Sequence, residues 1–483
     1  MAPAPWDGLP SQDTLFVLVT GGNSGIGFGI GERLIDEYIT KRSLSSHLIV
    51  IPTTRSTKKS QETIDGLRKH TKEFAATSKA LRSRAGPGYD PKQTTRRVHI
   101  LSVQVDLCNL PSIRRAANQL LSGTLTSLSD DDHFESLVDV KIPRLDAVIF
   151  NAGIGGWDGL DWPKAFHNIL TRGLVSATTW PTFKAAKGGH LIDPLQGTKG
   201  SSSSNNPQMG EVFCANVFGH YLFAHWLVPL LSRPSSSTLP PSRIIWETSV
   251  EPDWPCLSLD DFQAVKSKAA YESTKRLTDV LALTASLPSS RPFVDRYLGI
   301  TPAPRDKNKG QAATGGSSQP ATTPPKIYLV HPGVVQTTLF PLNAFMHFWY
   351  MVVLYIARWL GSPWHPITSY KGACAPVWMA LQEQSWLDAV HAERIKWGSS
   401  TNIKGECRVK KTEVDGWGWE GKVEEMMALK QQGKLSGRKW SAVDVTEEKL
   451  IEFKELGATC WQKMEELREE WEARLDAAEA GRS

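Results

Sequence analysis

Tyr271 and Lys275 stand four residues apart in Tyr271-Glu-Ser-Thr-Lys275, a spacing that puts both on one face of a helix. A phenol with its ordinary pKa near 10 is a poor acid or base at neutral pH, but an ammonium beside it stabilises the phenolate and lowers that value. The chemistry suggested is proton transfer to or from a substrate oxygen. Alone the spacing is cheap, because the chain has 9 tyrosines and chance can supply a lysine four residues on. Company makes it specific: Ser249 follows an apolar run, and Asn216 lies in Asn216-Val-Phe-Gly219 on an apolar helical stretch.

A second signal is Gly21-Gly-Asn-Ser-Gly25-Ile-Gly27, directly after the apolar run at 14–20. A chain that leaves a strand, turns tightly into a helix and approaches a pyrophosphate cannot carry Cβ atoms there. The helix N-terminus then offers free N–H groups and the positive end of its dipole. Gly21, Asn23, Ser24, Gly25, Ile26 and Gly27 are therefore candidate cofactor contacts. Pro52-Thr-Thr54-Arg55 closes the next strand without an acidic residue to hold a free ribose hydroxyl. Arg55, with Lys58 and Lys59 assisting, suits a 2′-phosphate and hence NADP(H) over NAD, and Thr54 beside it is a further candidate cofactor contact. The plain alternative is a solvent-facing arginine in a basic loop.

Strands at 14–20, 47–51, 97–105, 145–150, 243–248 and 326–330, separated by helical stretches, must position these groups. The pattern predicts an α/β fold, a Rossmann-like doubly wound parallel sheet. It is read as one reductase-sized domain over 1–380 with polar insertions at 56–95, 188–210 and 301–325. The last two are Gly/Ser- and Pro/Thr-rich and are expected to be flexible surface loops. A charged, Trp-rich helical extension is expected over 381–483. Its final stretch, 447–480, reads as a helix that is solvated or docked.

The 483 residues carry 55 Lys+Arg against 50 Asp+Glu, a net +5 spread along the chain, which argues against a nucleic-acid partner. Six scattered cysteines form no CxxC pair and no zinc spacing with histidine, so no metal site is expected and the thiols are expected to be reduced. Met1 to Pro10 has no basic segment followed by an apolar one, so a signal peptide is not expected.

The spacing at Thr20-Gly21 to Gly27 resembles the TGxxxGxG signature of the short-chain dehydrogenase/reductase family. That resemblance implies further roles. Asp106 would contact adenine, and Asn151-Ala152-Gly153 resembles the turn that supports the sheet and lines the cofactor. Asn216, Ser249, Tyr271 and Lys275 match the family's catalytic set in order. Ser249 would orient a carbonyl, Tyr271 exchange the proton, Lys275 also bind the nicotinamide ribose, and Asn216 hold a water. His331-Pro-Gly-Val-Val-Gln-Thr337 resembles the family's PG turn, with Val334 and Thr337 near the nicotinamide carboxamide. The Ser249–Tyr271 interval is longer than in compact members, and Thr274 replaces the serine usual before the lysine. Leu257-Ser-Leu-Asp-Asp-Phe-Gln263 and Lys275-Arg-Leu-Thr-Asp279 resemble the 3-ketosteroid reductases of sterol C-4 demethylation.

The resemblance implies NADPH-dependent reduction of a sterol 3-ketone, the substrate partner, to the 3β-alcohol in ergosterol-type synthesis. It also implies the cytosolic face of the endoplasmic reticulum or lipid droplets, with the other C-4 demethylation enzymes and the sterol cyclase as partners. Rivals are a reductase of other lipophilic carbonyls and a non-catalytic NADP(H)-binding scaffold. The greasy stretch 339–360 is too short in its uninterrupted part to span a bilayer, and Trp349, Tyr350 and Trp359 suit the headgroup level. It reads as an interfacial or re-entrant membrane segment beside the active site, with a buried core helix or dimer face as the alternative.

Overall fold

Apolar β-branched runs with no polar alternation dictate strands buried on both faces, and the chain uses them that way. The structure, a computed structural model, describes residues 3–186, 188–199, 207–300, 322–336, 344–431, 437–439 and 442–481. Strands β1 (Thr14–Val19), β2 (His47–Thr54), β3 (Val98–Ile100), β4 (Ala147–Phe150), β5 (Arg243–Glu247), β6 (Lys326–His331), β7 (Lys396–Thr401) and β8 (Cys407–Thr412) form one sheet. Their spatial order is β8-β7-β6-β5-β4-β1-β2-β3, parallel throughout except for the β7–β8 hairpin. The order reverses between β1 and β4, which opens a crevice at their carboxyl ends.

Alternate residues of one strand serve opposite cores. Phe16 and Leu18 face helices α3 (Leu110–Leu121), α4 (211–226) and α5 (Ala270–Thr284), whereas Val17 and Val19 face α1 (Gly25–Lys41), α2 (Thr57–Thr77) and α7 (Cys374–Leu381). Helix α4 runs in three consecutive pieces, Glu211–Phe213, a π turn at Cys214–Phe218, and Gly219–Trp226. The doubly wound parallel sheet expected from the strand spacing is present.

Several elements differ from the sequence reading. The charged stretch 56–95 is mainly α2, which buries Ile64, Leu67, Thr71 and Ala75 on one stripe and is the ordinary crossover between β2 and β3. The third strand is interrupted: Val98–Ile100 and Val103–Gln104 pair separately with β2. Residues 381–483 are not helical throughout, because β7 and β8 complete the sheet. The last helix, α8 (Glu447–Ala480), docks. Leu450, Phe453, Gly457, Cys460, Trp461, Met464, Trp471 and Leu475 form a buried stripe, and the Trp461 indole donates to Leu281 O of α5 at 3.0 Å. All six cysteines are free thiols. The 301–321 part of the third insertion lies outside the described residues.

Candidate active site

The glycine turn after β1 is built by close approach. Gly21 has φ 66° and Gly25 φ 53°, the left-handed region that glycine alone enters without strain. A Cβ on Gly27 would lie 2.2 Å from Gly21 O and 2.6 Å from Asn151 Nδ2. Asn151 belongs to the turn after β4, and its amide donates to Thr20 O at 2.9 Å. The Thr20 hydroxyl accepts from Asn151 N at 3.0 Å and from Ala152 N at 3.1 Å. The two turns are thus one unit. His220 of α4 braces it, with Nε2 2.9 Å from Thr20 Oγ1 and Nδ1 3.3 Å from Asn216 O. Burial pushes His220 down to about 3, so the ring is neutral and can accept at one nitrogen while donating at the other.

The groups left open here suit a dinucleotide. Helix α1 begins at Gly25 without a side-chain cap, beside Asn23 and an exposed Ser24, so its first N–H groups face outward. Arg55 is exposed at the end of β2, and Lys58 is exposed one turn further on. Thr54 is buried and its hydroxyl is turned inward, donating to Ser56 O and paired with Ser60 Oγ at 2.8 Å, so that hydroxyl is engaged within the protein. Asp106 follows Val103–Gln104, with Oδ1 accepting from Cys108 N at 3.0 Å. Val334 spends its N–H on Trp364 O and its C=O on Ile367 N, so both of its backbone groups are engaged within the protein. Thr337 lies outside the described residues.

The candidate proton-transfer groups gather at the carboxyl end of β5. Ser249 follows that strand by two residues, and Tyr271 and Lys275 occupy the first turns of α5. Lys275 Nζ donates to Glu247 O at 2.9 Å and sits 5.6 Å from the Tyr271 ring centroid. Asn216, in the π turn of α4, accepts from Ile154 N at 2.8 Å and donates to Ile154 O at 3.0 Å and Thr274 Oγ1 at 3.2 Å. Thr274 in turn donates to Tyr271 O at 2.7 Å. The residue that replaces the usual serine therefore links Asn216 to the tyrosine. A Cβ on Gly153 would come 2.8 Å from Asn216 Oδ1, which explains the glycine.

The electrostatics depart from one expectation. Burial first, then Glu251, push the Tyr271 phenol above its ordinary value, while the hydrogen bond from Ser249 pulls the other way. The expected lowering by Lys275 does not dominate in the protein alone, because desolvation of a phenolate costs more than one cation at this range returns. Burial lowers Lys275 to about 8, opposed by Glu247 and Asp279. The buried Glu247 carboxyl is pushed up to about 8 by the same desolvation, opposed by Lys275. Behind Lys275, Asp279 holds Lys396 of β7 at 2.7 Å in a fully buried ion pair.

Sequence reasoning missed His220, Glu247, Trp157 and Lys184. Trp157 packs edge-on against Tyr271 at 4.8 Å between centroids. Nothing local marks these residues; each gains its role from a partner far away in the chain.

Searched against family profiles, the chain matches none. It is 49% identical over 485 residues to the 3-keto-steroid reductase ERG27 of Gibberella zeae, covering 99% of this chain and 98% of that protein. It is 40% identical over 474 residues to the 3-keto-steroid reductase erg27 of Aspergillus fumigatus, covering 96% of each. The protein of that name from Saccharomyces cerevisiae is 28% identical over 421 residues, 86% of this chain and 93% of that one. Among solved structures, an alcohol dehydrogenase from the archaeon Thermococcus sibiricus superposes at 11% identity with a TM-score of 0.36, over 81% of this chain and 97% of that one. That superposition is too loose to carry a conclusion.

Proposed function

We propose, from the premise that this chain belongs to the 3-keto-steroid reductase family, that it reduces the 3-keto group of a C-4-demethylated sterol to the 3β-alcohol with NADPH. The observation that carries the reading is the convergence of Ser249, Tyr271 and Lys275 at the end of β5, beside an uncapped helix N-terminus. The reduced nicotinamide, when bound, supplies the hydride. Ser249 and Tyr271 hydroxyls donate hydrogen bonds to the ketone oxygen and strengthen them as negative charge develops there. Tyr271 then gives up its proton to the alkoxide, and the Lys275 ammonium offsets the phenolate left behind. Asn216 keeps α4 and the Ile154 segment locked against the first turn of α5.

Arg55 is the support for NADPH over NADH. Its guanidinium is exposed at the end of β2, with no ion-pair partner among the described residues. Arg55→Ala is expected to weaken NADPH about tenfold, one charge-assisted contact, while leaving NADH unchanged. The test is NADPH oxidation by detergent-solubilised protein with a 3-keto sterol lacking C-4 methyls, set against NADH and a small aromatic ketone. Turnover of the small ketone alone would leave a reductase and end the sterol assignment.

Residence on the cytosolic face of the endoplasmic reticulum, or on lipid droplets, is part of the same proposal. So is company with the other C-4 demethylation enzymes and the sterol cyclase. Helix α6 (Ala344–Trp359) supports a membrane contact. Leu354, Ala357 and Arg358 are buried, but Phe345, Trp349 and Trp359 are 72%, 52% and 64% exposed. The helix Trp162–Arg172 adds Phe166 at 65% and Leu170 at 70%. These two helices are joined through Leu174–Thr179, which packs on α6, and neither contains an acidic residue. An aromatic face free of negative charge suits a lipid headgroup layer. No helix among the described residues is long and apolar enough to cross a membrane. Replacing Phe345, Trp349 and Trp359 by Ser is expected to abolish co-sedimentation with anionic phospholipid vesicles; undiminished co-sedimentation would remove this surface from the proposal.

A further inference from the structure

Lys184 is a long cationic side chain from the short strand Lys184–Ala185, yet it is only 3% exposed. It forms ion pairs with both Glu251 and Glu272. Glu251 is two residues beyond Ser249, and its N–H donates to Ser249 Oγ at 3.3 Å. Glu272 is the residue next to Tyr271 in α5. The ammonium also lies 4.4 Å from the Trp157 ring centroid and 5.1 Å from that of Tyr271. One buried cation therefore ties together the segment after Ser249, the helix turn carrying Tyr271, and the tryptophan that covers the phenol.

We infer that Lys184 is a positioning residue for the reduction: it fastens the Ser249 and Tyr271 segments to each other and offsets the two carboxylates that flank the phenol. The inference rests on the reading of Tyr271 as proton donor. Its physical basis is the cost of burying unpaired charge. Two carboxylates beside a phenol disfavour phenolate, and both Glu251 and Glu272 push Tyr271 upward. Without the cation, the carboxylates must take up protons, admit water or swing outward. The last two outcomes displace Ser249 and the start of α5. The charged and titratable groups facing Tyr271 are Lys275 and Glu272 of its own helix, Glu247 and Glu251 from the end of β5, and Lys184. Lys439 and Tyr350 also face Glu251, from elsewhere in the chain.

The sign follows directly. A phenol raised further reaches its base form only at higher pH. In the reverse reaction, alcohol oxidation with NADP+, the limb where activity rises then moves to higher pH. Lys184→Met is expected to lower kcat about tenfold for each unit by which the phenol rises, with KM changing less. Lys184→Arg keeps the charge and is expected to restore most of kcat and the limb. Adding Glu251→Gln to Lys184→Met removes one uncompensated carboxylate and is expected to move the limb part of the way back. An unmoved limb in Lys184→Met, an Arg variant as impaired as the Met variant, or no recovery with Glu251→Gln would each overturn the inference. Should Lys184→Met fail to fold, the charge-balanced double variant takes its place, with a smaller shift expected and an unmoved limb again overturning. Tyr271→Phe separates the two readings. Turnover surviving in Tyr271→Phe ends the proton-donor role, whereas a silent Lys184→Met beside an inactive Tyr271→Phe ends only this inference.

Discussion

Tyr271→Phe is expected to cost about a thousandfold in kcat for the sterol ketone, the size of a lost general acid, while NADPH binding stays near that of the parent. The separation is argued from where the two functions sit. The phenol hydrogen-bonds with Ser249 beyond the end of β5, whereas the proposed pyrophosphate cradle is the glycine turn and the first turn of α1. Folding should survive, because the contact with Trp157 uses the ring, which phenylalanine keeps. Steady-state NADPH oxidation paired with fluorescence titration of NADPH reads both quantities. A variant that retains turnover would mean that another group supplies the proton. The parent enzyme adds a check through pH. Burial lowers Lys275 to about 8, so the ammonium that offsets the phenolate is expected below that pH and expected to be lost above it. The kcat for reduction should therefore fall as pH rises through about 8.

What the sequence discloses about this site depends on how local each signal is. The glycine turn and Tyr271-x-x-x-Lys275 declare themselves because strand, turn and helix spacing lie within one short window. Strands β1, β2, β4, β5 and β6 are legible as apolar runs for the same reason. Strand β7 is not: Lys396-Trp-Gly-Ser-Ser-Thr401 lacks an apolar run, yet every residue in it is buried. Several of its polar side chains find partners only at long range in sequence, Lys396 in Asp279 and Ser399 in Gly372 O and Ala375 N. Helix α8 is legible as a helix, but its sequence leaves open whether it is solvated or docked. Its charges dominate the composition, but the buried stripe from Leu450 to Leu475 determines where it goes. Lys184 and Glu251 are 67 residues apart, and Thr20 and His220 are 200 apart. Pairs like these exist only after the sheet has brought their elements together. The phenol's upward shift was illegible for a related reason, since desolvation depends on everything packed around Tyr271 and not on the helix that carries it.

Gly27→Ala should weaken NADPH about a hundredfold, near 2.7 kcal/mol, despite adding only a methyl group. The added Cβ would stand 2.2 Å from Gly21 O and 2.9 Å from Gly21 C, both backbone atoms that cannot rotate away, and 2.6 Å from Asn151 Nδ2. Relief requires the turn after β1 to separate from α1, or the Asn151 amide to leave Thr20 O. Either movement loosens the bonds from Asn151 N and Ala152 N to the Thr20 hydroxyl, so the damage passes from one turn to the other. An overpacked site of this kind also costs roughly 1–3 kcal/mol of stability. Gly88→Ala is the control, because a Cβ there meets nothing within 4 Å. Titration of NADPH against both variants, with denaturant unfolding alongside, distinguishes a local from a general effect. Near-parental binding by Gly27→Ala would show that this turn yields freely and is not the rigid floor of the cofactor site. Loss in Gly27→Ala with Gly88→Ala unaffected would tie the close approach of three backbone segments directly to cofactor affinity.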